Sequence, residues 1–343
     1  MTTPTRLALV LAALAAAVLP LPDGVIERWY SEGAYPRLQR ILTGASNLIP
    51  IPLFDVLCIA ALAGAVLTII RCLRAAGWRR GALAAGARLL AAAAVTYLIF
   101  LAAWGLNYRR IPLEEKLRFD RARVSAAGAN QLLERTVADL NHFYMSGHGA
   151  ATSTERLASG FHDALRTLRA PPAIVPGRPK WTLLGGYFHN AAIAGMTDPF
   201  FLETLIAPDL LDVERPFVIA HEWAHLAGYA DESEANFVAW LACLRAGPQA
   251  RYSAALTLIG HAYAAASNAR EAMKALQTGP SIDLRIISDR YATTPRLVRF
   301  AARETYDRYL KANRVERGVE SYDAVVELIL GTAFDQNGNP QLR

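Results

Sequence analysis

Cysteine and charged residues are scarce in this chain, and each scarcity excludes a class of protein. Three cysteines in 343 residues are too few for a disulfide framework. Charged residues make up 19% of the sequence, against about 25% in an ordinary soluble domain, while 53% of the residues are hydrophobic. This composition excludes an intrinsically disordered chain. At about 150 residues per domain, the length predicts about two structural units.

Lysine is absent from the first 105 residues, where nine arginines and four acids give a net charge of +5. Residues 106–343 contribute only +1 to the overall net charge of +6. We expect no nucleic-acid partner, because a nucleic-acid binder concentrates its positive charge on the folded domain. We also expect no disulfide-linked partner, because Cys243 is alone in its half of the chain and is predicted to be a small buried apolar residue.

Three apolar stretches lie in residues 1–110, at about 7–22, 48–70 and 89–107. The second and third approach the ~20 residues that a helix needs to cross a bilayer. The first is shorter and ends at prolines. It is either an uncleaved anchor or the core of a signal peptide, and the absence of a small-x-small cleavage site favours the anchor. Because the stretches lack amphipathic periodicity, we expect a membrane anchor of three transmembrane helices in a lipid bilayer, not buried core helices.

Arginines between the second and third stretches predict the orientation of this anchor. Arg71, Arg74, Arg79 and Arg80 lie there with no acid to offset them. Such a cluster is typical of a cytoplasmic connection. The second stretch is therefore expected to run inward and the third outward, which places residues 111–343 outside the cytoplasm.

Residues 111–343 are predicted to form one mainly α-helical α+β domain. Apolar residues recur at three- and four-residue spacing over most of this part, as they do on the buried face of a helix. Residues 171–208 differ, because six prolines and several glycines separate short apolar runs. We expect loops and two or three short strands there.

One motif indicates a specific chemistry: His221, Glu222 and His225 follow the pattern His-Glu-x-x-His on a predicted helix. Residues four apart share a helix face, so the two imidazoles can bind one metal ion at about 2.0–2.1 Å from each nitrogen. Glu222 can hold a water molecule and accept its proton. We predict Zn²⁺ as the cofactor, His221 and His225 as its ligands and Glu222 as the catalytic base.

A third metal ligand is expected from the helix that follows Gly228, because a catalytic zinc site takes three protein ligands and leaves one position open. Glu234 is the preferred candidate and Glu232 is the alternative. Two residues apart on a helix, they cannot both point at the metal. Glu234 has a competing interpretation as a capping-box glutamate paired with Asp231.

A donor to the oxyanion of a hydrolytic transition state is expected from the later helices. The candidates are Tyr252, His261, Arg285 and Tyr322, and the sequence does not rank them.

Short motifs on both sides of the metal motif are shared with one family. They include Trp29-Tyr30-Ser31, Tyr35-Pro36, Trp104-Gly105-Leu106-Asn107-Tyr108-Arg109, Ala194-Gly195-Met196, Pro199-Phe200, Pro216-Phe217, Glu234-Ala235-Asn236-Phe237, Tyr306-Asp307 and Ser321-Tyr322. On these residues the sequence resembles a bacterial family of membrane-anchored HExxH proteins catalogued as domain of unknown function 3810. The resemblance implies a zincin-like metallopeptidase fold and a multi-pass protein of the bacterial inner (plasma) membrane. In zincins the segment before the motif helix, here Ala192–Leu205, is commonly an edge strand to which an extended peptide adds.

A second similarity is confined to the metal motif and the helix after it. This segment resembles the zinc site of a soluble peptidase family that cleaves repressors, in which a glutamate opening the second helix completes the metal site. Glu234 or Glu232 takes the matching place here.

The sequence therefore predicts a zinc metallopeptidase that hydrolyses a peptide or protein substrate in the cell envelope by a zinc-activated water. Two alternatives are a zinc hydrolase acting on a non-peptide envelope substrate and a non-catalytic membrane protein stabilised by zinc. A structural zinc site is closed and usually rich in cysteine, and only Cys243 is available for one.

Overall fold

The computed structural model describes residues 2–171, 173–313 and 324–343, and most of them are helical. Pro4 stands in the first turn of the first helix, where the missing N–H costs no hydrogen bond. A nine-residue π-helix, Ile26–Ala34, runs directly into the α-helix that begins at Tyr35. The N-terminal helices are α1 (Thr3–Val18), α2 (Asp23–Val25), α3 (Tyr35–Asn47) and α4 (Leu53–Ala103).

The rest of the described chain is also helical, apart from three short strands. The strands are β1 (Pro179–Trp181), β2 (Gly195–Thr197) and β3 (Thr204–Ile206). Short 3-10 turns cover Gly105–Arg109, Arg121–Arg123 and Met273–Ala275. The helices are α5 (Leu113–Lys116), α6 (Ala126–Gly149), α7 (Thr154–Thr167), α8 (Gly185–Ala191), α9 (Arg215–Leu226), α10 (Glu232–Cys243), α11 (Pro248–Ala265), α12 (Ala269–Ala272), α13 (Thr278–Ala292), α14 (Arg296–Ala312) and α15 (Ala324–Gly331).

The long helix α4 folds back on itself at Gly77, whose φ of 71° and ψ of 178° are not helical. Cys72 Sγ lies 2.6 Å from Arg88 Nη1, although residues this far apart on a straight helix would be separated by about 24 Å. The two arms meet closely at Gly81, where an added Cβ would lie 2.5 Å from the Cys72 carbonyl oxygen. The reversal falls between the second and third apolar stretches, next to the arginine cluster.

Among the described residues, α4 is the one unbroken helix that is long and apolar enough to cross a membrane. Only 6% of its most apolar window is buried. Helix α1 together with Asp23–Asn47 would pass the same criterion as one bent span, with a bend of 106°. One or two helices of the described chain are therefore apolar enough to cross a membrane.

Side chains from both sides of residue 110 share one hydrophobic core. Tyr35 and Trp104, from the expected anchor, are buried in the same hydrophobic core as Trp223 and Phe237 from the expected catalytic domain. Tyr35 is 0% exposed, and its hydroxyl donates to the Leu226 carbonyl across the proposed boundary. The boundary at residue 110 stays a prediction. Because a cut there would divide this core, the site has to be tested in the full chain.

Three short strands form in the proline-rich segment, as the sequence predicted. They are ordered β1-β3-β2, with β1 parallel and β2 antiparallel to β3. Strand β2 therefore lies at an edge of the sheet, and it packs along α9. Helices α6 and α11 pack against each other beside this unit, around a second apolar cluster that includes Leu133, Leu140 and Ile259.

Candidate metal centre

Two histidines and one glutamate meet between α9 and α10. His221 Nε2 lies 3.1 Å from His225 Nε2 and 3.1 Å from Glu232 Oε2. The distance between His225 Nε2 and Glu232 Oε2 is 3.5 Å. In the part of the chain that the structure describes, these three residues form a group whose ligand atoms all lie within 4.8 Å of one another and could hold a metal ion.

A tight turn brings the two helices together. Helix α9 carries both histidines on one face, and Gly228 follows its end with a φ of 85°, a left-handed conformation that favours glycine. The side chain of Asp231 then caps α10 by accepting from the backbone N–H groups of Ser233 and Glu234. The sequence predicted this helix, turn and helix, and the structure contains them.

Glu232, and not Glu234, faces the two histidines. The Glu234 carboxylate turns to the other side of α10, where its Oε1 accepts from the Leu113 backbone N–H at 2.5 Å. The two residues are about 200° apart around a helix axis of 3.6 residues per turn, so only one can point into the cluster. The structure thus reverses the predicted order of the two carboxylates.

Hydrogen bonds at His225 orient its free nitrogen toward the cluster. His225 Nδ1 lies 2.7 Å from the Tyr229 carbonyl oxygen, which can only accept, so Nδ1 carries the proton. His225 Nε2 then presents a lone pair to His221 Nε2. Among the described residues, the buried Glu232 Oε2 has no hydrogen-bond partner. The two Nε2 atoms and Glu232 Oε2 thus converge on one point as three possible metal ligands.

Burial and neighbouring charges shift the pKa values of these groups in opposite directions. Burial raises the pKa of Glu232, but the adjacent His225 and His221 outweigh it and hold the pKa well below its usual value. Burial lowers the pKa of His225, whereas the Glu232 carboxylate raises it, with a result of about 9. For Glu234, burial and the nearby Asp231 raise the pKa to about 7. Glu232 is therefore the ionised carboxylate of the pair near neutral pH.

Glu222 lies between the cluster and the edge strand β2. The Thr197 hydroxyl is 2.8 Å from the carbonyl oxygen of Glu222 and 3.0 Å from its Oε2, and it can donate to either. An added Cβ at Gly195 would lie 2.7 Å from Glu222 Oε1, so glycine lets the strand approach this carboxylate. Burial raises the pKa of Glu222, against the lowering effect of His221 and His225.

Tyr306 is a site residue that the sequence argument missed. Its hydroxyl, on α14, donates to Glu232 Oε1. The only signal was that Tyr306 stood among the residues shared with the resembled family. No spacing rule connects a tyrosine on α14 to a glutamate 74 positions earlier.

The three candidate oxyanion donors that the structure describes, Tyr252, His261 and Arg285, lie outside the group of metal-ligating side chains. The Tyr252 hydroxyl donates to Asp283 Oδ2 at 2.5 Å, and its ring is buried in the second apolar cluster. His261 lies on α11 and Arg285 is exposed on α13, outside the group of metal-ligating side chains. Tyr322 lies outside the described residues.

The N-terminal part of the chain supports the end of α9 directly. Trp104 Nε1 donates to the His225 carbonyl at 3.0 Å, and the Tyr35 hydroxyl donates to the Leu226 carbonyl at 2.9 Å. Arg110 Nη1 donates to the Gly228 carbonyl at 3.0 Å and pairs with Glu27. Residues on both sides of α4 therefore fix the backbone of a candidate metal ligand.

These observations define the chain as a mainly helical protein with a small three-stranded sheet, one or two apolar helices and a buried cluster of two histidines and one glutamate. The family model described as "Protein of unknown function (DUF3810)" matches residues 30–330, and the chain belongs to this family. Neither a curated protein nor a solved structure matches the chain.

Proposed function

We propose that this protein is a membrane-anchored, zinc-dependent metallopeptidase. The observation that carries the proposal is the convergence of His221, His225 and Glu232 beside a second acid, Glu222, which is not one of these three possible ligands. Two imidazoles and one carboxylate are a common protein ligand set for catalytic zinc. The adjacent acid is the second requirement of metal-assisted hydrolysis.

The donor atoms fit a zinc ion in type and spacing. Ligands about 2.0–2.1 Å from a tetrahedral ion lie about 3.3–3.4 Å from one another. The three separations of 3.1, 3.1 and 3.5 Å bracket that value. A proton on His225 Nδ1 places the lone pair of the neutral imidazole on Nε2, the arrangement that a backbone carbonyl imposes on metal-ligating histidines, and a bound cation would keep Nε2 deprotonated.

A zinc ion held there supplies Lewis acidity, which lowers the pKa of water toward about 7 and polarises a carbonyl group. Glu222 is proposed to accept a proton from water and to pass it to the leaving amine. Burial raises the pKa of this carboxylate, which favours acceptance of the proton from water in the first step. Thr197 would orient Glu222, and Tyr306 would orient Glu232.

Strand β2 supports a peptide as the substrate. Backbone bonds at Ala194 and Asp198 join this strand to β3, and antiparallel strands alternate the direction of their backbone groups. The N–H and C=O groups of Gly195 and Thr197 therefore point to the other edge, beside Glu222. An extended peptide could add there as a further strand, with its scissile bond near the cluster.

The position of Cys243 argues against a purely structural zinc site. Such a site is closed and usually takes four ligands rich in cysteine. Cys243 is 0% exposed in the hydrophobic core, outside the cluster, and burial raises the pKa of its thiol.

Peptide cleavage by the purified full chain in detergent tests the proposal. We expect the wild-type protein to cleave members of a mixed peptide library, identified by mass spectrometry, and to lose this activity after treatment with a zinc chelator. Restoration by added zinc is the control. Chelator-sensitive hydrolysis of a cell-wall or lipid substrate, with every peptide intact, would replace the peptidase by the non-peptide hydrolase.

The proposed topology has three crossings, made by α1 and by the two arms of α4. The reversal at Gly77 would lie in the cytoplasm with Arg71, Arg74, Arg79 and Arg80, because positive residues stay on that side. The candidate site would then face the outside.

Fusions to a reporter enzyme test this topology. Alkaline phosphatase, which is active only outside the cytoplasm, should be active when fused after residue 343 and inactive when fused after Gly77. A cytoplasm-active reporter at the same two positions serves as the control and should give the reverse pattern. Activity of one reporter at both positions would rule out the hairpin crossing.

A further inference from the structure

Helix α3 has an inverted polarity. It buries Gln39 and Thr43, both 0% exposed, against the rest of the protein. Gln39 Nε2 donates to the Val175 carbonyl at 2.7 Å, and the Thr43 hydroxyl donates to the Leu202 carbonyl at 2.9 Å. Exposed apolar patches beside satisfied buried polar groups indicate that the exposed face meets a non-aqueous partner.

The exposed face of α3 combines apolar and basic side chains. Ile41 is 67% exposed and Leu48, just beyond the helix end, is 84% exposed. Arg37 is exposed one turn before Ile41 and shares its helix face. Ile51, which is also exposed, lies just before α4. The most apolar part of α4 is itself almost entirely exposed. The apolar surface is thus continuous from α3 to the start of the candidate span.

The turn after β1 lies at the same end of α4. Asp55, fully buried in the first turn of α4, accepts from the Thr182 hydroxyl at 2.9 Å and from the Leu183 backbone N–H at 2.6 Å. The side chains of Leu183 and Trp181 remain 64% and 51% exposed. The Arg215 guanidinium stacks on the Trp181 ring at 4.8 Å, which adds a positive charge to this patch.

We propose that the exposed face of α3 (Arg37, Ile41, Leu48) and the β1–α8 turn (Trp181, Leu183) form one interfacial surface that rests on an anionic lipid bilayer. Tryptophan, aliphatic side chains and arginines on one face are the composition of interfacial membrane contacts. Because this surface is continuous with the start of α4, it would lie at the depth at which α4 enters the bilayer. The inference therefore rests on the proposed insertion of α4. The hydrolytic function is not required for it.

Fluorescence quenching in vesicles tests the interfacial surface. The full chain carries Cys58→Ala and Cys72→Ser, and an NBD dye is attached to a single new cysteine at Ile41→Cys or Leu183→Cys. Met145→Cys on α6, 78% exposed, is the matched water-facing control, and Leu62→Cys in α4, 69% exposed, is the lipid-facing control. The vesicles contain phosphatidylglycerol and phosphatidylcholine with brominated acyl chains.

We expect dyes at positions 41 and 183 to lose most of their emission in brominated vesicles and to resist quenching by aqueous iodide. The dye at position 145 should be quenched by iodide and not by the brominated lipid. If the dye at 62 is quenched by bromine while those at 41 and 183 behave like that at 145, the interfacial surface is wrong and the anchor stands. Protection of 41 and 183 from both quenchers would assign the surface to a polypeptide and overturn the lipid proposal. A dye at 62 quenched by iodide would overturn the anchor as well.

Discussion

The variant Glu232→Gln is expected to bind zinc at least about 100-fold more weakly than the wild-type chain. Loss of a residue that only supports a metal ligand costs about 10–100-fold in affinity, and Glu232 is proposed as a ligand itself. An amide keeps the size of the side chain but is a poor zinc ligand without the negative charge that His221 and His225 face. Competition with a chromophoric chelator, on the full chain in detergent, measures the difference.

The matched control is Glu234→Gln, the same change two residues along the same helix. Its oxygen can still accept from the Leu113 N–H, and it does not face the histidines. Zinc affinity should therefore stay within about tenfold of wild type. The free energy of unfolding should fall by about 1–3 kcal/mol, because the new amide N–H donor is buried without a partner. If Glu234→Gln loses zinc and Glu232→Gln keeps it, the ligand assignment returns to Glu234.

The second large effect is expected for Glu222→Gln, which should lower the peptide cleavage rate by about 10²–10⁴. The amide retains the volume of the side chain and can still accept from Thr197, but it cannot take a proton from water. Because Glu222 is not one of the three converging ligands, zinc affinity and fold should be unchanged. Cleavage rates are compared at matched zinc content, on any peptide found with the wild-type chain.

Thr197→Val provides the graded control for Glu222. It removes the hydroxyl next to Glu222 and leaves the carboxylate, so it should cost less activity than Glu222→Gln. Equal cleavage rates for wild type and Glu222→Gln would show that this acid transfers no proton in the reaction. The zinc-stabilised, non-catalytic protein would then be the better account.

Local sequence rules predicted the parts of the site that depend on neighbouring residues. Residues four apart placed His221 and His225 on one face, and the glycine at 228 and the Asp231 cap marked the end of α9 and the start of α10. The proline-rich composition predicted the short strands, and the apolar runs predicted the helices of the N-terminal third. Each of these features is set by interactions over a few residues.

Features set by distant contacts could not be predicted in the same way. The choice between Glu232 and Glu234 depends on how α10 rotates against α9 and on the Leu113 N–H that takes Glu234. The Tyr306 contact and the shared core around Tyr35 join residues far apart in sequence. Contacts across residue 110 could not be predicted, because an apolar run looks alike whether lipid or protein surrounds its last turn.

Zinc content and the zinc K-edge X-ray absorption spectrum of the full chain test whether His221, His225 and Glu232 hold a zinc ion. We predict about one zinc per chain, with only nitrogen and oxygen ligands at about 2.0–2.2 Å and the scattering pattern of imidazole. The variant His225→Ala, loaded with metal in the same way, should lose this signal. A chain that binds no zinc, that binds it through sulfur, or that gives the same spectrum without His225 would contradict the account.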